Sequence, residues 1–528
     1  MLLCPLLDKY NEYCFEADAQ ATVDQVVNFR LWLHTGQRKM LLPPSGYPPY
    51  LDCQFLLYTS ATYVVDALKQ VRLVDPKTVP TEASLAIYTT RRVNVVCRIV
   101  AALAVFAIAI RFVHSAVFAF AASLVFLLLT QLVQIDLLRP DHAAVAALSW
   151  LLYLSLALLR PRRDRTASLT GISLLSAALA TTKVTCIAFL LIPATAVFFL
   201  LLQRRVKIRA LFIPSLVFAV AALAFSIRYL IHHQQAPTAI RRMFGDLKAW
   251  QLFAGGEPHF YYHWNLLLPD GVWLLGIVAV SWLVLALKVA RTRNAGAALL
   301  LLCTLAFSAA AYGVLKYQRG GYHLALLYVT SIIMAVGVLR LSFRPHRYAG
   351  LLGIGCSFLL LPTLYSQSIF YREQRRLTET LAHTTDAIRI QPRIWIRDRV
   401  APGARITIPV HSEWAMPPMF DLGLDIKYRF LDMPYLDSVA LKNYEPPAIE
   451  SIAAETDLVI LNDYHRKAYL QVMRRDGFDA LASRWEAFFD KLAEAFEVVD
   501  FSAPSENYGV RAIRIIIVNP ASLRSAGK

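Results

Sequence analysis

Charge is scarce in this chain. Asp, Glu, Lys and Arg make up 17% of its 528 residues, whereas 57% are hydrophobic. A soluble chain carries about 25% charged and 45–50% apolar residues. The shortage excludes a disordered or fibrous protein and, because the apolar residues are clustered, a wholly soluble one. Cysteine is scarce as well. There are seven, and Cys97, Cys186, Cys303 and Cys356 lie in apolar runs, where a thiol packs as a small hydrophobe. Cys4, Cys14 and Cys53 lie near the N-terminus, where one pair could be bridged in an oxidising compartment; they make no disulfide framework. The sequence lacks a glycine-rich phosphate loop, a nucleophile elbow and a metal-binding cluster, which argues against a nucleotide-binding enzyme domain. It also lacks internal repeats and low-complexity tracts.

What the chain has instead is a train of apolar runs between Val93 and Gln367, most of them long enough for the roughly 20 residues a bilayer crossing needs. Ten crossings are expected, at 93–112, 116–135, 141–159, 167–182, 184–203, 210–229, 272–290, 296–315, 321–340 and 348–367. Three regions follow: an N-terminal segment 1–92 with amphipathic helices, a helical bundle 93–367, and a mixed polar tail 368–528. The net charge of +17 would suggest nucleic acid in a soluble protein. Here the basic residues sit in alternate loops, and no nucleic-acid partner is expected. One set comprises Arg111, then Arg160, Arg162, Arg163 and Arg165, then Arg204, Arg205, Lys207 and Arg209. Lys288, Arg291, Arg293, Arg340, Arg344 and Arg347 complete it. The short loops opposite hold Arg139, Lys183, Lys316 and Arg319. The positive-inside rule places the larger set in the cytoplasm. The N-terminal segment, the loop 230–271 and the tail then face outward together, and three polar regions on one face can build one site. Arg91 and Arg92 run against this bias. Export of the long leading segment also needs a cause: either a further helix upstream of the present start, which is the preferred expectation, or the first span drawing the segment across.

The tail reads as a small α/β domain. Strand-like stretches occupy 404–410, 425–431, 456–461, 495–501 and 509–518, with helical patterns at 446–454, 464–474 and 478–494. The turn Ala401-Pro402-Gly403 opens the first strand. The expected architecture is a polytopic α-helical membrane protein of about ten spans with a C-terminal extracytoplasmic α/β domain.

Ionisable groups at a membrane edge are costly and so informative. On the outward side these are Glu16 and Asp18 at the start of a helical pattern, Asp141 after Arg139-Pro140, Lys183 between two runs, and Lys316 and Arg319 before Gly320-Gly321-Tyr322. Taken singly, Asp18 would serve as a helix cap and the cations as snorkelling loop charges. The loop Glu257 to Trp264, with Tyr261, Tyr262 and His263, reads equally well as an interfacial aromatic belt; its two histidines lack a third ligand at zinc spacing. Together, acids and cations on one face suit an anionic lipid head group beside an acid–base reaction. Transporters instead place ionisable groups near the bilayer midplane on broken helices; a transporter or lipid flippase is the rival class.

The order of these motifs resembles the C-type glycosyltransferase superfamily, in particular bacterial relatives of protein O-mannosyltransferases and of the lipid A aminoarabinose transferase. The resemblance runs from Glu16-Ala17-Asp18 through Tyr47-Pro48-Pro49-Tyr50 and Arg139-Pro140-Asp141. It continues with Gly171 to Lys183, Pro258 to Tyr262, Lys316 to Tyr322 and the polar tail. The family's acidic loop commonly carries adjacent acids or a DxD-like pair, where this chain has Glu-Ala-Asp. The resemblance implies transfer of a sugar from a polyprenyl-phosphate carrier to a hydroxyl of a lipid, glycan or protein, on the outer face of a bacterial inner membrane. It implies Asp18 as general base with Glu16 as alternate or partner, and Lys183, Lys316, Arg319 and Tyr322 at the lipid phosphate. Asp141, Tyr261, Tyr262 and His263 would contact substrate. No soluble nucleotide is needed; a divalent ion, if one takes part, would sit at Asp141 and Asp18, and Asp141 could instead orient a cation. A single displacement would invert the anomeric centre.

Overall fold

The computed structural model describes residues 17–36, 53–79, 82–131, 141–160, 165–182, 184–231, 272–313, 321–342, 383–384, 386–409, 427–431, 445–463, 470, 473–474, 477–507 and 510–524. They fall into two compact units, one within 28–61 and 90–374, the other within 5–27, 62–89 and 375–528.

The helices in chain order begin with α1 (Ala17–Thr35), α2 (Cys53–Gln70), α3 (Glu82–Val113) and α4 (Ala116–Gln131). Next come α5 (Asp141–Leu158), α6 (Thr166–Ala180), α7 (Leu191–Leu202) and α8 (Phe212–Ala224). The helices Val272–Thr292, Ala295–Gly313 and Gly321–Ser342 follow. Each expected crossing from 93–112 to 321–340 carries helix, and 348–367 lies outside the described residues. Among the described residues, α3 and α5 are long and apolar enough to cross a membrane, with shorter apolar helices beside them. Two starts are set by proline. Pro193 and Pro214 are each the third residue of their helix, and each helix follows a 3₁₀ stretch, Val184–Leu190 and Ile208–Leu211. A proline has no N–H to donate back, so the α ladder does not extend through it.

One expectation is corrected. The first apolar helix begins at Glu82 rather than 93. No glycine or proline interrupts 82–113, and Arg91, which was read as a loop charge, is fully buried.

The first unit has a continuous apolar core that includes Val105 and Ile108 of α3, Phe118 and Phe126 of α4, Leu148 and Leu152 of α5, and Leu327 and Ile333. Helix α5 packs on α6 and α7, α6 on α8, and Gly321–Ser342 on both α4 and Val272–Thr292. Gly337 lets helix Gly321–Ser342 approach the end of α3 closely: a Cβ there would stand 2.8 Å from the carbonyl oxygen of Phe112.

Basic residues from four of the expected cytoplasmic loops meet at one end of this unit. The Arg160 guanidinium lies 4.4 Å from the centre of the Phe112 ring, and its Nη2 donates to the Arg111 carbonyl at 3.5 Å. Arg340 donates to the Val113 carbonyl. Arg205 donates to the Leu159 carbonyl at 3.4 Å, and Arg165 donates to the Arg205 carbonyl. Cations at helix C-termini answer both the unmet carbonyls and the negative end of the dipole. The alternation read from the loops is therefore built into the packing.

In the second unit, β1 (Arg405–Pro409), β2 (Lys427–Leu431), β3 (Leu458–Asn462), β4 (Glu497–Asn507) and β5 (Val510–Ile517) fall on the five strand-like stretches. They form one sheet in the order β2-β1-β3-β5-β4. β1 runs parallel to β2 and β3, while β5 is antiparallel to β3 and β4. Side chains alternate between faces along a strand. Ile513, Ile515 and Ile517 thus pack with Ile406 and Ile460 on one face, and Ile516 and Val459 pack with Trp485, Phe488 and Leu492 on the other. The last three lie on helix Asp479–Ala495 at the i, i+3, i+7 spacing of a helix face. Asp457 ties the sheet together. Its carboxylate accepts from the backbone N–H of Arg405 at 2.7 Å and from its Nε and Nη2 at 3.2 and 3.0 Å. Asn519 Nδ2 also donates to it, at 2.9 Å. These bonds, with Arg405 foremost, hold the carboxyl down at about 2.

Candidate active site

The first unit gathers a second group of polar residues. It is carried by the start of α2, the N-terminal half of α3, the start of α5 and the end of α6. On α3, Arg91, Asn94 and Arg98 follow one another at i, i+3 and i+7, which places them on one helix face; they are 0%, 0% and 6% exposed. Asp141 and His142, the first two residues of α5, are buried too. Arg98 Nε donates to His142 Nδ1 at 3.2 Å, a pairing in which Nδ1 accepts through its lone pair.

Helix α2 closes the group. The backbone N–H of Cys53 donates to the Thr181 carbonyl at 3.1 Å, joining the start of α2 to the end of α6. Tyr58, one face of α2 and fully buried, donates its hydroxyl to Asn94 Oδ1 at 2.7 Å. Burial pushes the Tyr58 phenol well above the usual tyrosine range. Cys97 and Asp141 push it the same way. Gln54 lies one helical turn before Tyr58. It is 1% exposed, yet neither its amide nitrogen nor its oxygen finds a hydrogen-bond partner among the described residues. A buried amide left unmet is costly, by about 1–3 kcal/mol. Helix α1 adds Phe29, whose ring centre is 6.2 Å from that of Phe55 on α2.

This polar group and the basic end lie far apart along α3. Arg91 and Arg111 are separated by about 30 Å at 1.5 Å per residue, the thickness of a bilayer's hydrocarbon core. One end of the bundle is thus a belt of helix-capping arginines. The other holds a carboxylate, an imidazole, a phenol and two guanidinium groups away from solvent. Fixed, desolvated cations can stabilise developing negative charge without reorganising, and a carboxylate beside them can orient a substrate or take a proton.

Of the residues named from sequence, Asp141 falls in this group. Asp18 is the second residue of α1 and belongs to the other unit, and Tyr322 is the second residue of helix Gly321–Ser342. The side chains of both lie outside the described residues. Glu16, Lys183, Tyr261, Tyr262, His263, Lys316 and Arg319 lie outside them altogether. Among the described residues no three His, Cys, Asp or Glu side chains gather to hold a metal ion. Asp141 adjoins His142, whose imidazole is already bonded to the Arg98 guanidinium. Sequence reading missed Gln54, Tyr58, Arg91, Asn94, Arg98 and His142. The i, i+3, i+7 polar stripe on α3 was the available signal.

No family model and no curated protein matches the chain. Solved structures do. The apo form of ArnT from Cupriavidus metallidurans shares 12% identity and covers 97% of this chain and 94% of its own, with a TM-score of 0.53. The same protein bound to undecaprenyl phosphate gives 12% identity, 94% and 93% coverage and a TM-score of 0.52. The apo oligosaccharyltransferase of Archaeoglobus fulgidus gives 11% identity, 90% and 70% coverage and a TM-score of 0.53. At this identity the likeness is one of fold. The chain has the fold of polytopic membrane glycosyltransferases of the C-type superfamily, the group that its motifs resemble.

Proposed function

We propose that the protein transfers a sugar from a polyprenyl-phosphate-linked donor to an acceptor hydroxyl at the outer face of a bacterial inner membrane. The observation that carries this reading is the buried group around Asp141, Arg98 and His142, set opposite the basic end in a fold shared with a transferase solved with undecaprenyl phosphate bound. In this reading ten helices cross the bilayer, with residues 1–92 and 368–528 on the outer side.

The chemistry follows from the groups. An acceptor hydroxyl is a weak nucleophile, so a carboxylate must take its proton as it attacks; Asp18 is assigned that role, with Glu16 beside it. The new bond forms between the acceptor oxygen and the anomeric carbon. The bond from that carbon to the phosphate oxygen breaks, and polyprenyl phosphate leaves with the electron pair. One displacement inverts the anomeric centre. Lys183, Lys316 and Arg319, with the Tyr322 hydroxyl, hold the departing phosphate, and Arg91 and Arg98 raise the local positive potential. Gln54 offers a donor and an acceptor to sugar hydroxyls. Asp141, and Tyr261, Tyr262 and His263 from the second outward loop, orient the substrates.

The test supplies purified full-length protein with a membrane lipid extract as acceptor and either a polyprenyl-phosphate-linked or a nucleotide-linked sugar. The expected result is a sugar-bearing product, identified by mass, with the lipid-linked donor alone. Use of the nucleotide sugar, or movement of the lipid-linked donor across vesicles without cleavage, would overturn the reading in favour of another transferase class or of a flippase.

A further inference from the structure

A cleft of about 470 Å³ opens between α6, α7 and α8, in the size range of small-molecule sites. Its walls include Leu169, Ile172, Val197, Phe198, Leu211 and Phe218, with Ser173 and Ser215 among them. The cleft lies toward the basic end of the bundle, away from the group around Asp141. Leu169 is one turn along from Arg165, whose carbonyl accepts its backbone N–H at 2.9 Å, and Leu201 and Leu211 bracket the loop that joins α7 to α8. That loop carries Arg204, Arg205, Lys207 and Arg209, all exposed. Large apolar side chains of the cleft and of positions next to its lining residues are exposed: Phe198, Leu202, Ile208 and Phe212 are 55%, 64%, 78% and 72% exposed. In water such a surface would be unfavourable, so hydrocarbon chains are its natural solvent.

An apolar cleft that ends at a cluster of cations matches a molecule with a hydrocarbon tail and an anionic head. We propose that this cleft binds one anionic phospholipid of the leaflet at the basic end, an acyl chain lying between α6, α7 and α8 and the phosphate meeting Lys207, Arg209 and their neighbours. Basic pockets between membrane helices recognise head groups in this way, and each Lys or Arg near an anionic surface contributes roughly fivefold in affinity. The site is separate from the one assigned to sugar transfer. It rests on the membrane-embedded fold and not on transfer activity, so a protein inactive with every donor would still test it.

The experiment is native mass spectrometry of the purified full-length protein, titrated with phosphatidylglycerol or with phosphatidylcholine of identical chains. One phosphatidylglycerol should be retained in preference to phosphatidylcholine. Lys207→Gln with Arg209→Gln, both exposed side chains at the 3₁₀ stretch, should weaken that binding by roughly 25-fold. Ser173→Leu, which narrows the cleft, should weaken it as well. Equal retention of the two lipids would show plain solvation and overturn the proposal. Unchanged affinity in the double charge variant would overturn it as well. So would displacement of phosphatidylglycerol by an equimolar amount of polyprenyl phosphate, which would assign the cleft to the donor's tail.

Discussion

Tyr58→Phe removes one oxygen from the centre of the buried polar group and changes almost nothing else. Tyr58 and Asn94 are both 0% exposed, and the hydroxyl donates to Asn94 Oδ1 at 2.7 Å. No charge is lost, and the ring fills the same space. The substitution deletes a neutral hydrogen bond and deprives a buried acceptor of that donor, which together cost about 1–3 kcal/mol, with tenfold in the equilibrium for every 1.4 kcal/mol. Unfolding of the full-length protein in mixed micelles, read by tryptophan fluorescence, measures it. Adding Asn94→Ala and the double variant closes a cycle whose interaction energy should be about 0.5–3 kcal/mol, as for residues in contact. The pH dependence has a definite sign. The folded phenol titrates well above the ordinary value of 10.0, so its contribution is complete below pH 10 and is lost as pH rises toward the folded value. Alkaline destabilisation above pH 10 should therefore be smaller in Tyr58→Phe. A variant within about 0.3 kcal/mol of wild type, with no coupling to Asn94, would refute the view that α2 and α3 are locked together through this bond.

Three further outcomes are expected. Gly337→Ala puts a Cβ 2.8 Å from the Phe112 carbonyl oxygen and should destabilise the bundle by about 1–3 kcal/mol through overpacking, seen as a lower thermal midpoint. Asp457 is held at about 2, against 3.8 ordinarily; its contribution, at most about 2 kcal/mol, is present above pH 4 and fades between pH 4 and 2, and Asp457→Asn should remove that dependence in acid-unfolding curves of the full chain. Cysteines placed at Arg162 and Ser451 should differ toward an impermeant thiol reagent in intact cells, with labelling at 451 alone, whereas labelling at 162 would reverse the proposed orientation.

Much of the fold was legible because its signals are local. Strand stretches such as 404–410 and 509–518 alternate toward two covered faces, and β1 and β5 fall on them. The basic loops were legible for a related reason: positive charge accumulates at helix ends on one side, and Arg160, Arg165, Arg205 and Arg340 do lie together. The polar group around Asp141 was only partly legible. Counting charges by loop treats each as solvent-facing, so Arg91 looked like a violation of the bias when it is a buried residue of a helix that starts at Glu82. Arg98 was passed over inside an apolar run, although its spacing from Arg91 and Asn94 marks a single face. Its pairing with His142, and that of Tyr58 with Asn94, join residues 44 and 36 positions apart. No periodicity within one helix contains such contacts; they come from how helices pack.

The central claim, sugar transfer driven by a carboxylate base from a lipid-linked donor, is tested most directly by release of polyprenyl phosphate from a labelled polyprenyl-phosphate sugar. The measurement compares wild type, Asp18→Asn and Glu16→Gln at equal amounts of folded protein. In the first turn of α1 a purely structural Asp18 would contribute only about 0.3–1 kcal/mol through the helix dipole, so the amide would leave the rate of the folded protein unchanged. As the base, its amide replacement cannot accept the proton, and release should fall by roughly 100-fold or more, with Glu16→Gln affected less. Full rates in both variants would contradict the account and remove this segment from the chemistry.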